Sequence, residues 1–392
     1  MRLLSAFLII SIFINSAVSL AADDLMIDFG RAATIDVMLD NAIRRGLISG
    51  GVIAVGNREG ILYSSSRGQM YPVGITVPID ERTLFDVASL TKVIATAPAV
   101  MKLLENGRIT LMDPLSRWFP EFEGTGREEI TILNLLTHTS GLDDATLSDV
   151  TPLKSAIQNA ASQKNWNPFG NRFRYADINF ILLGELVQRV SGQSLDRFSH
   201  EQIFAPLGMN QTMFIPPAEM SRSIAPTIGP NKLLKAGIVQ DENARLLAGV
   251  AGHAGLFTTT SDLARFAVML LDQGLFKGRR LFTQRVVRQM TAPYFYSDGR
   301  IVRGLGWDIY SPFSSPRGTH FSDMSFGHTG YSGSSIWIDP ERDLFVILLT
   351  VRLDYQNVRQ FRMLRSDIST LAASIFSHPL VGDEILHQLQ LP

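Results

Sequence analysis

The stretch Gly50-Gly51-Val52-Ile53-Ala54-Val55-Gly56-Asn57-Arg58-Glu59-Gly60-Ile61-Leu62-Tyr63 decides the fold class of this chain. Two runs rich in β-branched and aliphatic residues flank a polar turn that contains a glycine, and this pattern predicts a β-hairpin. Near the other end, residues 334–339 and 344–351 flank the turn Pro340-Glu341-Arg342-Asp343 and predict a second hairpin. Because the hairpins lie close to the two chain ends, we expect one antiparallel sheet assembled from both ends.

Helical patterns dominate the region between the hairpins. They cover residues 89–105, 152–163, 178–191, 194–203, 261–274 and 283–291, separated by glycine and proline loops. Amphipathic patterns also predict a helix at residues 25–46 and a closing helix at residues 358–376. We therefore predict an α+β fold in which residues 23–85 and 300–392 form an α/β sheet domain, residues 86–299 form a mostly helical domain, and the active site lies between them.

The charge balance and the absence of cysteine exclude several classes of function. The 392 residues include 36 basic and 37 acidic residues, for a net charge of -1, so no nucleic-acid partner is expected. Without cysteine, disulfide bonds, thiol catalysis and Cys-ligated zinc are excluded. No His-Glu-x-x-His or similarly tight ligand spacing occurs, so we predict no metal site.

The first 22 residues have the layout of a secretory signal peptide. Arg2 precedes an apolar run at residues 3–14, small residues follow, and cleavage is expected after Ala21 or Ala22. The alternative is a retained anchor, although the apolar run is shorter than the roughly 20 residues that a membrane span requires. We therefore expect an exported protein, periplasmic or secreted, with no stable membrane span beyond this segment.

Ser89-Leu90-Thr91-Lys92 is the first candidate for catalysis. At a helix start, positions i and i+3 share a face, so the Ser89 hydroxyl and the Lys92 amine point into the same space. A serine hydroxyl becomes a nucleophile when a neighbour accepts its proton, and the positive end of a helix favours the negative charge that develops. The alternative is a helix N-cap followed by a surface lysine, since a chain of this length contains on the order of one Ser-x-x-Lys by chance.

Tyr175-Ala176-Asp177 is the second candidate, on a loop that enters a predicted helix. To act as a base near pH 7, the phenol needs a pKa about three units below its ordinary value of about 10. A charged lysine beside it in a partly dry pocket is a sufficient source for such a shift. The alternative is an aromatic side chain that packs at a helix start.

The third candidate is Gly327-His328-Thr329-Gly330-Tyr331-Ser332-Gly333, directly before the last hairpin. Its glycines allow close approach of the backbone to a ligand, and the N–H of Tyr331 can join that of Ser89 in an oxyanion hole. His328 and Thr329 then point toward the substrate. As a bare pattern, the segment is a glycine-rich turn with a histidine.

The order of these motifs resembles the serine β-lactamase and penicillin-binding protein superfamily, nearest to its class C-like, peptidase family S12-type branch. The resemblance covers nearly the whole chain after the signal peptide. It is also carried by Leu135-Leu136-Thr137-His138-Thr139-Ser140-Gly141-Leu142 and by residues 172–180. Residues 241–244 and 249–257 are similar to a subgroup that includes penicillin-binding protein 4B-like enzymes and serine-type muramoyl-alanine amidases.

This resemblance implies a β-lactamase/transpeptidase-like fold and a role for each matching residue. Ser89 would form an acyl-enzyme, and Lys92 and Tyr175 would transfer its protons. Backbone N–H groups of Ser89 and Tyr331 would form the oxyanion hole. The substrate side would be lined by Asp177, His328, Thr329 and Gly330. No metal or organic cofactor is implied, and the oligomeric state stays open.

Two residues depart from the class C β-lactamase pattern. Asp177 stands where those enzymes carry asparagine, and His328 stands where they carry lysine. A mostly neutral histidine holds a substrate carboxylate less well than lysine does, and Asp177 would repel that carboxylate, although it would also keep Lys92 charged. We therefore expect poor β-lactamase activity and a peptidoglycan-fragment or other small-molecule substrate, as for a D-Ala-D-Ala carboxypeptidase or a muramoyl-alanine amidase. The alternatives are a small-acyl carboxylesterase and a non-catalytic wall-binding relative.

Two further histidines, His138 and His253, lie in loops of small residues. We predict that both are structural hydrogen-bonding residues rather than ligands. The loop at residues 249–255 lacks the Lys-Ser/Thr of a phosphate-binding loop and is predicted to bring the backbone close to the pocket.

Overall fold

The structure is a computed structural model that describes residues 29–74, 76–144, 146–163, 169–170, 172–228 and 235–377. The predicted signal peptide at residues 1–22 lies outside the described residues. Within the described ranges, no helix has the length and apolar character needed to span a bilayer.

The helices and strands of the described chain are as follows. The helices are α1 (Phe29–Arg44), α2 (Ala97–Glu105), α3 (Ile132–Leu136), α4 (Pro152–Ser162), α5 (Ile178–Ser191), α6 (Leu195–Ser199), α7 (Ala205–Leu207), α8 (Glu242–Leu246), α9 (Thr260–Leu271), α10 (Gln284–Thr291) and α11 (Val358–Phe376). The strands are β1 (Ile48–Asn57), β2 (Gly60–Gly68), β3 (Phe85–Asp86), β4 (Met213–Phe214), β5 (Leu256–Thr258), β6 (Leu275–Phe276), β7 (Arg279–Arg280), β8 (Tyr294–Tyr296), β9 (Ile301–Arg303), β10 (Asp308–Tyr310), β11 (Phe326–Thr329), β12 (Ser335–Asp339) and β13 (Leu344–Arg352).

Both chain ends contribute to one sheet, with the strand order β2-β1-β13-β12-β11-β10-β9-β8. β1 lies between β2 and β13 and is antiparallel to both, with Val52 opposite Leu349 and Ile53 opposite Leu348. The two predicted hairpins and their joining into one antiparallel sheet are therefore confirmed.

The sheet is covered on both faces, because successive side chains of a strand point to opposite sides. Ile53 and Leu348 face a cluster that includes residues of α1 and α11. Val52 and Leu349 face the larger cluster, to which α2, α5 and α9 contribute. The helical region therefore packs against one face of the sheet, and the terminal helices against the other.

The sequence patterns missed the short strands. β8, β9 and β10 extend the sheet beyond β11, and β3, β5 and β4 form a separate small sheet. Each contains two or three residues, which is too few for an alternating pattern to stand out. Tertiary pairing, rather than local preference, creates these strands. The domain boundaries stay a prediction.

The helix predicted at residues 89–105 is confirmed in position but begins irregularly. Residues Ala88–Leu90 form a 3-10 turn, Lys92–Thr96 form a π-helical segment, and α2 follows. π-Helical segments occur frequently at functional sites. The change in helical pitch lies within the Ser-x-x-Lys motif, so it affects how Ser89 and Lys92 face each other.

Candidate active site

Ser89 lies at the end of a turn with an unusual backbone. The preceding residue, Ala88, has a φ of 47°, which costs an L-residue roughly 1 kcal/mol. Asp86 holds this turn, because its Oδ1 accepts a hydrogen bond from Ala88 N at 2.8 Å and its Oδ2 accepts one from Gln240 N at 2.7 Å. Burial raises the pKa of Asp86 to about 6. The turn leaves Ser89 half-buried at the edge of a cavity.

Lys92 is completely buried and directs its amine at three acceptors. Its Nζ lies 3.1 Å from Ser89 Oγ, 3.0 Å from the His253 carbonyl oxygen and 2.6 Å from Asp177 Oδ1. An ammonium group has three N–H donors, and Tyr175 is a further hydrogen-bond partner of this amine. Lys92 therefore contacts the Ser89 hydroxyl, while a carboxylate and a backbone carbonyl also hold its amine.

The Lys92–Asp177 pair determines the charge state of the site. Burial disfavours the ammonium, but the charge of Asp177, together with the interactions of Lys92 with Tyr175 and its hydrogen bond to Asp177, raises the pKa of Lys92. Burial likewise opposes ionisation of Asp177, but the charge and hydrogen bond of Lys92, together with the charge of His253, lower the pKa of that carboxyl. Both groups are therefore charged near pH 7. Asp177, predicted to line the substrate side, instead lies against Lys92 and is not among the residues that line the cavity.

Tyr175 completes the group that the sequence predicted to converge. Its ring lies 5.1 Å from Lys92 Nζ and, like Ser89, lines the cavity. The predicted decrease of its pKa is wrong: burial raises the pKa of Tyr175 and outweighs the opposing charge of Lys92. Asp177 adds to this increase because it supplies a negative charge beside the lysine. The phenol is therefore neutral near pH 7 and available as a proton donor.

His138 supports Tyr175 from behind. The two rings stack with centroids 4.4 Å apart and an interplanar angle of 24°. The Nδ1 of His138 accepts a hydrogen bond from Ala176 N at 3.3 Å, in agreement with its prediction as a structural hydrogen-bonding residue. Burial, followed by the positive charge of Arg303, lowers the pKa of His138 well below its ordinary value. This neutral ring orients the tyrosine without adding a charge.

The loop that contains His253 approaches the site through its backbone, as predicted. Besides the His253 carbonyl on Lys92, the Gly252 carbonyl accepts a hydrogen bond from Thr96 Oγ1 at 2.7 Å. A Cβ on Gly252 would lie 1.9 Å from the Phe180 carbonyl oxygen, so only glycine allows this approach to α5.

The residues around Lys92 also include a potential metal-ligand group. Among the described residues, Asp177, Asp241 and His253 have ligand atoms that all lie within 4.8 Å of one another. The Nε2 of His253 lies 2.8 Å from Asp241 Oδ1. Burial opposes ionisation of Asp241, but the hydrogen bond and charge of His253, together with the backbone hydrogen bond from Ala244 and the charge of Lys92, lower the pKa of Asp241 to about 2. The ammonium of Lys92 lies next to this group, so the chain itself supplies a positive charge to these carboxylates.

The predicted closing motif forms β11 and the turn after it. His328 lines the cavity, is buried, and has its Nδ1 2.8 Å from the Thr329 carbonyl oxygen. This contact assigns the Nδ1–H tautomer, which leaves Nε2 as an acceptor. Burial, followed by the charge of Arg303, lowers the pKa of His328 well below its ordinary value. The expectation of a neutral histidine is therefore confirmed.

The turn after β11 is bound tightly to the turn that precedes Ser89. Ser332 Oγ donates to the Asp86 carbonyl at 2.6 Å, and Ser334 Oγ donates to the Val87 carbonyl at 2.9 Å. A Cβ on Gly330 would lie 2.3 Å from the Val87 carbonyl oxygen, so a larger residue would separate the two turns. Within the described chain, the backbone N–H groups of Ser89 and Tyr331 donate to no protein acceptor. Both are available to a ligand.

Ser89, Tyr175, His328, Thr329, Gly330 and Tyr331 line one cavity of about 260 Å³. Four arginines, Arg303, Arg352, Arg362 and Arg365, also line this cavity and form a positively charged wall. One carboxylate among the described lining residues, Asp308, lies in this wall, and it pairs with Arg303 at 3.0 Å. The cavity therefore combines the Ser89 hydroxyl with a positively charged wall.

A family model described as Beta-lactamase matches residues 35–365. The chain belongs to the Beta-lactamase family. It is a serine hydrolase of the β-lactamase and penicillin-binding protein type, as the three motifs predicted. Its α+β architecture is the β-lactamase/transpeptidase-like fold of this family.

Relatives of this family member include hydrolases with different names. An N-acetylmuramyl-L-alanine amidase from Bacillus subtilis (strain 168) is 29% identical over 305 residues, which cover 69% of this chain and 68% of the relative. A protein named "Putative D-alanyl-D-alanine carboxypeptidase" from Salmonella enteritidis PT4 (strain P125109) is 27% identical over 375 residues, which cover 83% of this chain and 84% of the relative.

Solved structures share the fold at lower identity. A penicillin-binding protein homologue from Caulobacter crescentus has a TM-score of 0.72 and 21% identity, and the match covers 88% of this chain and 98% of the homologue. EstCE1, a hydrolase with promiscuous acyltransferase activity, has a TM-score of 0.71 and 19% identity, and the match covers 87% of this chain and 99% of EstCE1.

Sequence reasoning missed several residues that build the site. The role of His138 as the surface on which Tyr175 stacks had no local signal, and neither did the guanidinium groups of Arg303, Arg352 and Arg365. Buried arginines are rare, but burial is not visible in an isolated sequence. For His253, the glycine-rich loop around it was the one available signal in the sequence. It correctly predicted that the backbone of this loop, rather than the histidine ring, approaches the pocket.

Proposed function

We propose that this protein hydrolyses amide bonds of peptidoglycan-derived peptides through an acyl-enzyme on Ser89. The observation that carries this proposal is the set of contacts around Lys92, whose amine lies 3.1 Å from Ser89 Oγ and 2.6 Å from Asp177 Oδ1. Binding to the cell wall without catalysis does not require proton transfer between a serine, a lysine and a carboxylate, so these contacts favour an enzyme over the non-catalytic alternative.

Acylation uses the lysine and its carboxylate as a proton relay. Lys92 gives one proton to Asp177, turns its lone pair toward Ser89 by rotation about Cε–Nζ, and takes the hydroxyl proton. Ser89 Oγ then forms a bond to the substrate carbonyl carbon. The backbone N–H groups of Ser89 and Tyr331 hold the resulting oxyanion. The relay keeps the net charge around Lys92 constant, which matters in a buried site where a new charge is costly.

The same groups complete the reaction. The tetrahedral intermediate collapses, the C–N bond breaks, and the leaving amine takes a proton from the Tyr175 hydroxyl, which is restored from Lys92. A water molecule then attacks the ester carbonyl of the acyl-enzyme and passes a proton to Lys92. As the ester bond breaks, Lys92 gives this proton to Ser89 Oγ and the acid is released; Asp177 then returns its proton to Lys92, which restores the ion pair.

The positively charged wall supports a substrate that carries carboxylates. Arg303 and Arg352 are buried, Arg362 is exposed, and all three face the same cavity as Ser89. Because desolvated guanidinium groups bind carboxylates strongly, this wall favours the acidic peptides of peptidoglycan over small neutral esters. The names of the amidase and carboxypeptidase relatives agree with this class of substrate. Since peptidoglycan lies outside the cytoplasm, export through residues 1–22 is part of the proposal.

Covalent labelling tests the nucleophile. Wild type, Ser89→Ala and the exposed control Ser261→Ala are incubated with a fluorophosphonate, and adducts are located by mass spectrometry. We expect one adduct at Ser89 in wild type and in the control, and none in Ser89→Ala. An adduct on another residue, or labelling that survives in Ser89→Ala, contradicts the assignment.

Substrate comparison tests the chemical class. Release of product from purified muropeptides is compared with hydrolysis of p-nitrophenyl acetate by the same enzyme preparation. We expect turnover of the muropeptides, abolished in Ser89→Ala. Turnover of the ester with no turnover of any muropeptide refutes the peptidoglycan proposal and supports the carboxylesterase alternative.

A further inference from the structure

The peptide bond between Gly330 and Tyr331 has a partner on each side. Its N–H is the proposed oxyanion donor, and its carbonyl oxygen accepts a hydrogen bond from Arg365 Nη2 at 2.7 Å. In a planar trans peptide, the C=O and N–H bonds point in opposite directions. The contact with Arg365 therefore lies directly behind the donor that faces the cavity.

Arg365 reaches this position from α11 and is almost completely buried. Its side chain is 7% exposed, and the same Nη2 also donates to the Ser334 carbonyl oxygen at 2.7 Å. No carboxylate contributes to its environment among the described residues; burial and the neighbouring charge of Arg352 both lower its pKa. A guanidinium group remains charged near pH 7. The protein thus buries a cation whose hydrogen-bond acceptors are the two carbonyl oxygens at the base of this turn.

A charged donor on one end of a peptide has two physical effects on the other end. It fixes the orientation of the peptide plane, and it polarises the group so that the N–H becomes a stronger donor. Gly330 N donates to the Ser334 carbonyl at 2.8 Å and Gly333 N donates to the Gly330 carbonyl at 3.2 Å. These neutral bonds shape the turn, and Arg365 adds the charge.

We propose that Arg365 is a positioning residue of the oxyanion hole, which orients and polarises the Gly330–Tyr331 peptide from α11. This inference rests on the proposed function, because it requires that the N–H of Tyr331 binds the oxyanion. Arg365 contacts no reacting atom and acts through the peptide. Its effect appears in the transition state, where the oxyanion carries its full charge, and is small in the bound ground state.

The test measures the inactivation kinetics of Arg365 variants with a neutral fluorophosphonate. The variants are Arg365→Met, Arg365→Gln and Arg365→Lys, with Arg359→Met as the control, an exposed arginine on the same helix. Saturation kinetics separate the limiting rate kinact from the half-saturating concentration KI. A neutral probe avoids any direct attraction to the arginine wall.

We expect kinact of Arg365→Met and Arg365→Gln to fall by about 10- to 100-fold, with KI changed by less than about threefold. Arg365→Lys keeps one charged donor and is expected to recover at least about a third of the wild-type rate. A role in stability alone predicts instead that the folded fraction, measured by active-site titration, retains wild-type kinact. If Arg365→Met does not fold, the comparison of Arg365→Gln with Arg365→Lys decides between the two roles.

Two results overturn the inference. One is a kinact of the folded Arg365 variants equal to that of Arg359→Met. The other is a loss that resides in KI alone. A failure of the underlying function is recognised separately, because labelling then persists in Ser89→Ala. When Ser89→Ala is unlabelled and the Arg365 variants react at the wild-type rate, the inference about Arg365 fails while the proposed function stands.

Discussion

Replacement of Asp177 by asparagine tests the proton relay most directly. In the wild type, Asp177 has a lowered pKa and Lys92 a raised pKa, so neither group titrates between about pH 5 and pH 9. Acylation through the relay needs no prior loss of a proton to solvent. We therefore expect the limiting rate of Ser89 labelling by a fluorophosphonate to be nearly constant over this range.

The magnitude of the change follows from the 2.6 Å separation of Lys92 Nζ and Asp177 Oδ1. At an effective dielectric constant of about 20, two unit charges at this distance attract by about 6 kcal/mol, or roughly four pKa units. Part of this is retained, because the asparagine carbonyl can still accept a hydrogen bond. Burial without a counter-charge then lowers the pKa of Lys92 below its ordinary value.

The variant has no internal proton acceptor, so Lys92 must first lose a proton to solvent. We expect Asp177→Asn to react about 10- to 100-fold more slowly than wild type near pH 7. Its rate is expected to rise about tenfold per pH unit until the lowered pKa of Lys92 is passed. A suitable control is Asp143→Asn, which removes a carboxylate of similar exposure from another 2.6 Å ion pair, formed with the exposed Arg174. A flat profile for Asp177→Asn, at the wild-type rate, refutes the relay.

Three further predictions concern the groups around the nucleophile. Gly330→Ala places a Cβ 2.3 Å from the Val87 carbonyl oxygen, so we expect a lower melting temperature and at least about a 100-fold loss of kcat in the folded enzyme. Wild-type kcat contradicts this packing argument. His138→Asn keeps a residue suited to the positive φ of 56° but removes the ring that stacks on Tyr175. We expect kcat to fall about tenfold with KM nearly unchanged. A change in KM alone argues against a role of His138 in orienting the tyrosine. Burial raises the pKa of Asp86 from 3.8 to about 6, so the folded state binds this proton more tightly than the unfolded state. The free energy of unfolding of the wild type is therefore expected to fall by about 3 kcal/mol as the pH rises from about 4 to about 6. Asp86→Asn is expected to lack this pH dependence in urea unfolding, and an identical pH dependence in both proteins refutes the assignment.

Local sequence patterns were sufficient for the elements that carry their own periodicity. The closing helix was predicted at residues 358–376, which are the bounds of α11, and both hairpins formed where alternating or β-branched runs flank polar turns. The convergence of Ser89, Lys92 and Tyr175 was inferred from the order of three motifs rather than from any local rule. In each case the information lay within a few neighbouring residues or within a pattern of motifs along the chain.

The sequence by itself therefore determined the fold class and the family of this protein, and it supplied the proposal that Ser89 is the nucleophile. Only the tertiary structure decided the charge state of the site, because the pKa values of Lys92 and Tyr175 depend on burial and on the distance to Asp177. Only the tertiary structure also revealed the hydrogen bond from Arg365 to the Gly330 carbonyl, because 35 residues separate the two in the sequence. Periodicity reports which face of an element is buried, whereas electrostatic energies depend on distances between atoms that the chain brings together only when it folds.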